Sequence, residues 1–116
     1  LHGHAGKVFS LVVGPSGMVF SGSKDKTIRM WGGCGGKLLG TNAHHTDSVL
    51  SLTLGIMSTV LSGCGPRDKT VAMWCGWTGG HLGTLRTEAD FVDALAVGPD
   101  GEVYTGGRDD EIITVW

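Results

Sequence analysis

The sequence predicts an all-β fold assembled from three copies of one four-stranded antiparallel unit, the third copy incomplete, and three observations carry that expectation. Trp31, Trp74 and Trp116 lie 43 and 42 residues apart, each closing a similar stretch, so the repeat is about 42 residues long. Glycine supplies 21 of the 116 residues, more than twice the roughly 7% of an average chain, which argues against long helices. Short β-branched and apolar runs alternate with glycine, proline and Asp/Ser clusters, and no stretch holds the period of about 3.6 residues that a helix needs.

The first unit spans about residues 1–40, the second about 41–86 and the third about 87–116. In the first, strands are expected at 8–13, 18–21, 27–31 and 37–40. Gly14-Pro15-Ser16-Gly17 joins the first two. Proline presets one dihedral and glycine accepts positive φ, and Gly98-Pro99-Asp100-Gly101 repeats the device in the third unit. The second unit has Gly55-Ile56-Met57-Ser58 there, a poorer turn. Gly32-Gly33-Cys34-Gly35-Gly36 is not followed by Lys-Ser/Thr or by a helix, so it reads as a loose turn before the fourth strand rather than a phosphate loop. Aligned on their tryptophans, the second copy carries two extra residues and the third one, all before the aspartate, as insertions in a turn would fall. The runs 8–13 and 91–97 are apolar at nearly every position, so each sheet is expected to be covered on both faces. Stacked four-stranded units of this length describe β-propeller blades.

The motifs then name a family. Gly3-His4, Ser21-Gly22-Ser23-x-Asp25-x-Thr27-Ile28-Arg29-x-Trp31 and Asp68-Lys69-Thr70-Val71-Ala72-Met73-Trp74 resemble the WD40 repeat, three times in register over essentially the whole chain. The copies depart from the pattern in places. Gly32 and Cys75 stand where an aspartate often follows the tryptophan, His44 replaces the glycine of Gly-His, and Glu88 holds the histidine position of the third copy. The resemblance implies a hydrogen-bond chain of histidine, Ser/Thr, aspartate and indole N–H: His4, Ser21, Asp25 and Trp31 in the first unit, His45, Ser62, Asp68 and Trp74 in the second. Spacing leaves open whether Ser21 or Ser23 is the hydroxyl of the first. The third unit keeps Thr105, Asp110 and Trp116 and loses the imidazole.

Serine, histidine and aspartate can also form a nucleophilic triad, but a set repeated in every unit reads as scaffolding rather than as one active centre. The five histidines and the cysteines Cys34, Cys64 and Cys75 show neither the i, i+4 helical pairing nor the C-x-x-C spacing of metal sites, so neither metal nor cofactor is expected. Nine Lys+Arg against eleven Asp+Glu give a net charge of -2, which does not select nucleic acid. No apolar run reaches the ~18 residues of a membrane span, and unpaired cysteines suit an intracellular setting, cytoplasmic or nuclear.

The resemblance and the converging loops of a propeller rim imply a non-enzymatic module that binds a protein or peptide within a larger complex. Lys7, Ser48 and Phe91 lead into the first strands, Lys24, Arg67 and Asp109 precede the turn aspartates, and all six are candidate contacts. Propellers close with about 4 to 8 blades, so three should leave bare end faces larger than the roughly 300–600 Å² patch a monomer carries. The remaining blades are expected from the same parent chain or from another chain. The alternative is a self-assembling ring of identical copies with six or nine blades. A hydrolase or metal enzyme built on the histidines is a distant third reading.

Overall fold

The computed structural model describes residues 3–32, 36–87 and 91–107, together with the backbone of 114–115. Among them the chain forms three antiparallel sheets and no α-helix. The first blade consists of β1 (Val8–Val13), β2 (Val19–Ser23), β3 (Ile28–Trp31) and β4 (Leu38–Asn42), paired in chain order. The second consists of β5 (Val49–Leu54), β6 (Thr59–Cys64), β7 (Thr70–Cys75) and β8 (His81–Arg86), again in chain order. In the third, β9 (Ala94–Val97), β10 (Val103–Gly106) and β11 (Thr114–Val115) make three strands. This is an open, partial propeller. The expected loose turn falls largely outside the described residues, and the second and fourth strands of blade 1 end two residues later than the sequence suggests.

The turn at 55–58 closes tightly despite its composition. Gly55 N–H donates to Thr59 O at 2.8 Å and Thr59 N–H to Ile56 O at 3.2 Å. Met57 and Ser58 take φ of 53° and 60°, the left-handed pair that twists a two-residue hairpin loop in the sense of its strands. A side chain there is strained, and Met57 spends its own in solvent, 90% exposed.

Two cores lie between the blades rather than within them. Phe20 and Ile28 of blade 1 meet Val49, Leu52, Val60, Ala72 and Trp74 of blade 2, and Leu61 and Val71 of blade 2 meet Val92 and Val103 of blade 3. The contact repeats around a glycine. A methyl placed on Gly22 would lie 2.6 Å from Val49 Cγ1, and one on Gly63 would lie 2.8 Å from Val92 Cβ and closer still to its Cγ1. Gly106 holds the same place in blade 3, and among the described residues a methyl there would meet nothing nearer than Ala94 Cβ at 3.9 Å. Each valine of the next blade thus seats in a hollow that only glycine leaves open. Hydrogen bonds fix the register: Leu52 N–H donates to Ser10 Oγ at 3.0 Å, Ser51 Oγ to Val92 O at 2.8 Å, and Asn42 Nδ2 to Gly79 O at 3.0 Å.

Among the described residues the end face of blade 1 has no such cover. Val49 and Leu52 are 0% and 8% exposed, whereas their counterparts Val8 and Leu11 are 49% and 62% exposed. Covering the latter pair to the same extent is worth about 2–3 kcal/mol. The expected cover on both faces is thus seen on one face of β1 only, and the bare face ends in a hollow lined by His4, Val8, Leu11, Ser21 and Trp31.

Candidate functional site

At one end of the blades, the segment leading into each first strand meets the turn between the second and third. Aspartate makes that turn. Thr27 N–H and Thr27 Oγ1 donate to Asp25 Oδ1 at 2.9 and 2.5 Å, so the side chain imitates one more backbone link while Lys26 takes φ of 73°. The other oxygen, Oδ2, reaches across to accept from Ala5 N–H at 3.0 Å and from His4 Nδ1 at 2.8 Å. His4 Nε2 lies 2.6 Å from Ser21 Oγ, which also accepts from Trp31 Nε1 at 2.9 Å. Ser21 is thus the hydroxyl of the chain, while Ser23 Oγ accepts from Asp25 N–H at 3.1 Å. With the proton on Nδ1, every step is satisfied: indole to serine, serine to imidazole, imidazole to carboxylate.

Blade 2 repeats the arrangement. Trp74 Nε1 donates to Ser62 Oγ at 2.8 Å, His45 Nε2 lies 2.6 Å from that oxygen, and His45 Nδ1 faces Asp68 Oδ2 at 3.2 Å. Thr46 N–H donates to the same Oδ2 at 2.7 Å and Thr70 Oγ1 to Oδ1. Burial opposes the carboxylate charge, yet hydrogen bonds from Thr70, Thr46 and His45 hold Asp68 down at about 2, and those from Thr27, His4 and the backbone hold Asp25 below the usual range. Burial pushes the imidazole of His45 toward its neutral form against the pull of Asp68. Thr105 is buried in β10 at the place of Ser62, while Asp110 and Trp116 lie outside the described residues, as does Glu88.

Cys64 joins blade 2's cluster where blade 1 has Ser23. Its Sγ lies 2.7 Å from His45 Nδ1, and a ligand atom from each of His45, Cys64 and Asp68 falls within 4.8 Å of the others. These are donor types found at zinc sites, although the spacing 45, 64, 68 gives no motif. Burial and the nearby Asp68 charge raise the thiol's pKa, against the thiolate that a metal requires. The cluster is chemically suited to a buried hydrogen-bond network.

Five of the six candidate contact residues sit on the same rim. Lys24 N–H donates to Lys7 O at 2.8 Å, so these two exposed lysines adjoin. Ser48 bridges blades, its Oγ donating to Lys24 O at 3.4 Å and its carbonyl accepting from Gly65 N–H at 3.1 Å. Phe91 follows, half-buried, next to Val92, whose N–H donates to Cys64 O at 2.9 Å. Arg67 is exposed on the turn of blade 2, its N–H donating to Asp47 Oδ2 at 3.0 Å. Asp109 lies outside the described residues.

Sequence reading missed a group on the outer side of this rim. His44 stacks on His81 with ring centroids 4.2 Å apart, both meet Trp74 edge-on, and His81 Nε2 lies 3.0 Å from Thr84 Oγ1. Beside them opens a cavity of about 440 Å³ lined by His44, Thr46, Arg67, Asp68, Thr70, Thr84 and Arg86. Its members come from three separate segments, so only the odd His44-His45 pair hinted at it.

These features define a class: an open β-propeller segment whose blades are tied by histidine–serine–tryptophan–aspartate chains. Residues 1–32 match the family described as WD domain, G-beta repeat, and the fold of the whole chain is that of a WD40-type propeller fragment. A chain of the crystal structure of the Mitotic Checkpoint Complex superposes with a TM-score of 0.89 at 24% sequence identity, over 100% of this chain. This chain spans 37% of the length of that one. No curated protein matches by sequence.

Proposed function

We propose that the chain is a non-catalytic interaction scaffold whose loop rim docks a protein or peptide within a larger complex, in the cytoplasm or nucleus. The observation that carries this reading is the double anchorage of the rim. Asp25 and Asp68 each hold the turn before the third strand and the lead-in to the first, so exposed Lys7, Lys24 and Arg67 stand on pre-organised loops. Ordering such loops costs little on binding. The same hydrogen bonds speak against hydrolysis: the hydroxyls of Ser21 and Ser62, 2% and 0% exposed, are engaged by an indole and an imidazole. Free thiols at Cys64 and Cys75 suit a reducing compartment.

Photo-crosslinking tests the reading. A photoreactive residue at Lys24 or Ser48 should capture a discrete protein in cells, whereas one at Met57 or Thr78, on the opposite rim, should not. Equal capture from both rims, or capture from the opposite rim alone, overturns it.

A further inference from the structure

We infer that the cavity beside His44, Arg67 and Arg86 is a receptor for a phosphorylated side chain of a partner peptide. The inference deepens the rim reading, on which it rests for the partner being a protein.

The blades supply their own comparison. Register aligns His44 with Gly3, Thr46 with Ala5, Arg67 with Lys24 and Arg86 with Ala43, whereas Asp68, Thr70 and Thr84 align with Asp25, Thr27 and Thr41. What the fold requires repeats in both blades. What does not repeat is an imidazole at His44, a hydroxyl at Thr46, a guanidinium in place of an ammonium at Arg67 and a second guanidinium at Arg86, and all four line one cavity.

A carboxylate shares that cavity, yet among the described residues neither arginine forms an ion pair with it. Asp68 is already claimed, Oδ1 by Thr70 and Oδ2 by His45 and Thr46. Arg67 and Arg86 therefore keep their donor forks for another anion. A phosphate monoester brings a charge of about −1.5 to −2 and three acceptor oxygens, which suits two bidentate donors and an imidazole better than a single carboxylate does. The volume, about 440 Å³, lies within the range of ligand pockets, roughly 300–1,000 Å³. Among the described residues no apolar side chain lines it, so they offer no anchor of the kind with which a lipid-headgroup site enters a bilayer, and the net charge of -2 does not suit a nucleic-acid backbone.

The test is isothermal titration of the full chain with a short phosphoserine peptide, its unphosphorylated and glutamate versions, inorganic phosphate, and phosphatidylcholine vesicles carrying a phosphoinositide. The phosphoserine peptide should bind at least tenfold more tightly than each of the others. Arg67→Ala and Arg86→Ala should each weaken it about tenfold at unchanged melting temperature, Arg67→Lys less, and Lys37→Ala, an exposed lysine just before β4 on the opposite rim, not at all. Equal binding of the glutamate or unphosphorylated peptide overturns the proposal, as does indifference to both arginine variants. Inorganic phosphate or vesicles binding as tightly as the peptide would overturn the peptide as source. Crosslinking from Lys24 or Ser48 that survives Arg67→Ala/Arg86→Ala, with no phosphopeptide binding, would sink this inference and leave the rim reading standing.

Discussion

Replacing Gly22 with alanine puts a methyl group 2.6 Å from Val49 Cγ1 and 3.2 Å from its Cβ, across the boundary between blades 1 and 2. Val49 is 0% exposed, packed in a cluster with Phe20, Ile28 and Leu52. Overpacking of this kind costs about 2–3 kcal/mol, and the lost backbone freedom of the unfolded chain returns about 0.5 kcal/mol, so Gly22→Ala should destabilise by about 2 kcal/mol. Gly106→Ala is the control: the same strand position, where among the described residues the nearest atom is Ala94 Cβ at 3.9 Å, should gain about 0.5 kcal/mol. Val49→Ala alone removes two buried methyls and should cost about 2–3 kcal/mol. Combined with Gly22→Ala it removes the clashing atom, so the double variant should lose at least about 1 kcal/mol less than the sum. Urea unfolding followed by tryptophan fluorescence measures each value. The reasoning fails if Gly22→Ala unfolds at the same midpoint as Gly106→Ala, or if the double variant is additive.

Three further outcomes follow from the same geometry. His45→Ala leaves Ser62 and Asp68 buried without their shared partner and should cost about 3 kcal/mol by the same urea assay, with Cys64→Ser, which restores blade 1's hydroxyl, much milder. Asp25 and Asp68 have folded pKa values below their unfolded ones, so their stabilisation is full above the ordinary carboxylate range and should be lost as pH falls from about 4 toward 2. His45, also depressed, should start that decline below about 6.5, and melting curves of the wild type and Asp68→Asn across this range would check both. Met57→Asn with Ser58→Gly gives the 55–58 turn residues that accept positive φ and should raise stability by about 0.5–1 kcal/mol, read as a higher melting temperature.

The fold was legible because its signals are local and repeat. The tryptophan period, the Gly-Pro-x-Gly turns and the two-sided apolar runs each state a blade, and the chain of His4, Ser21, Asp25 and Trp31 could be carried over from a resemblance. The choice between Ser21 and Ser23 needed the register, since both precede the aspartate and only one points toward Trp31 Nε1. The role of Gly22 and Gly63 was hidden although each follows the aligned hydroxyl residue, because its meaning lies in a valine from the next blade. Cys64 entered the His45 cluster by tertiary approach, and the His44–Arg67–Arg86 cavity draws on segments up to 42 residues apart. Spacing along one chain cannot express such meetings.

The valine-in-glycine seat has a consequence for how the molecule comes apart. Because the same small joint couples each sheet to the next, cohesion accrues sheet by sheet with no central core that must form first. Among the described residues blade 2 is clasped on both sides and blades 1 and 3 on one, so amide exchange should be slowest in β5 and β6, and thermal opening should advance inward from the flanks.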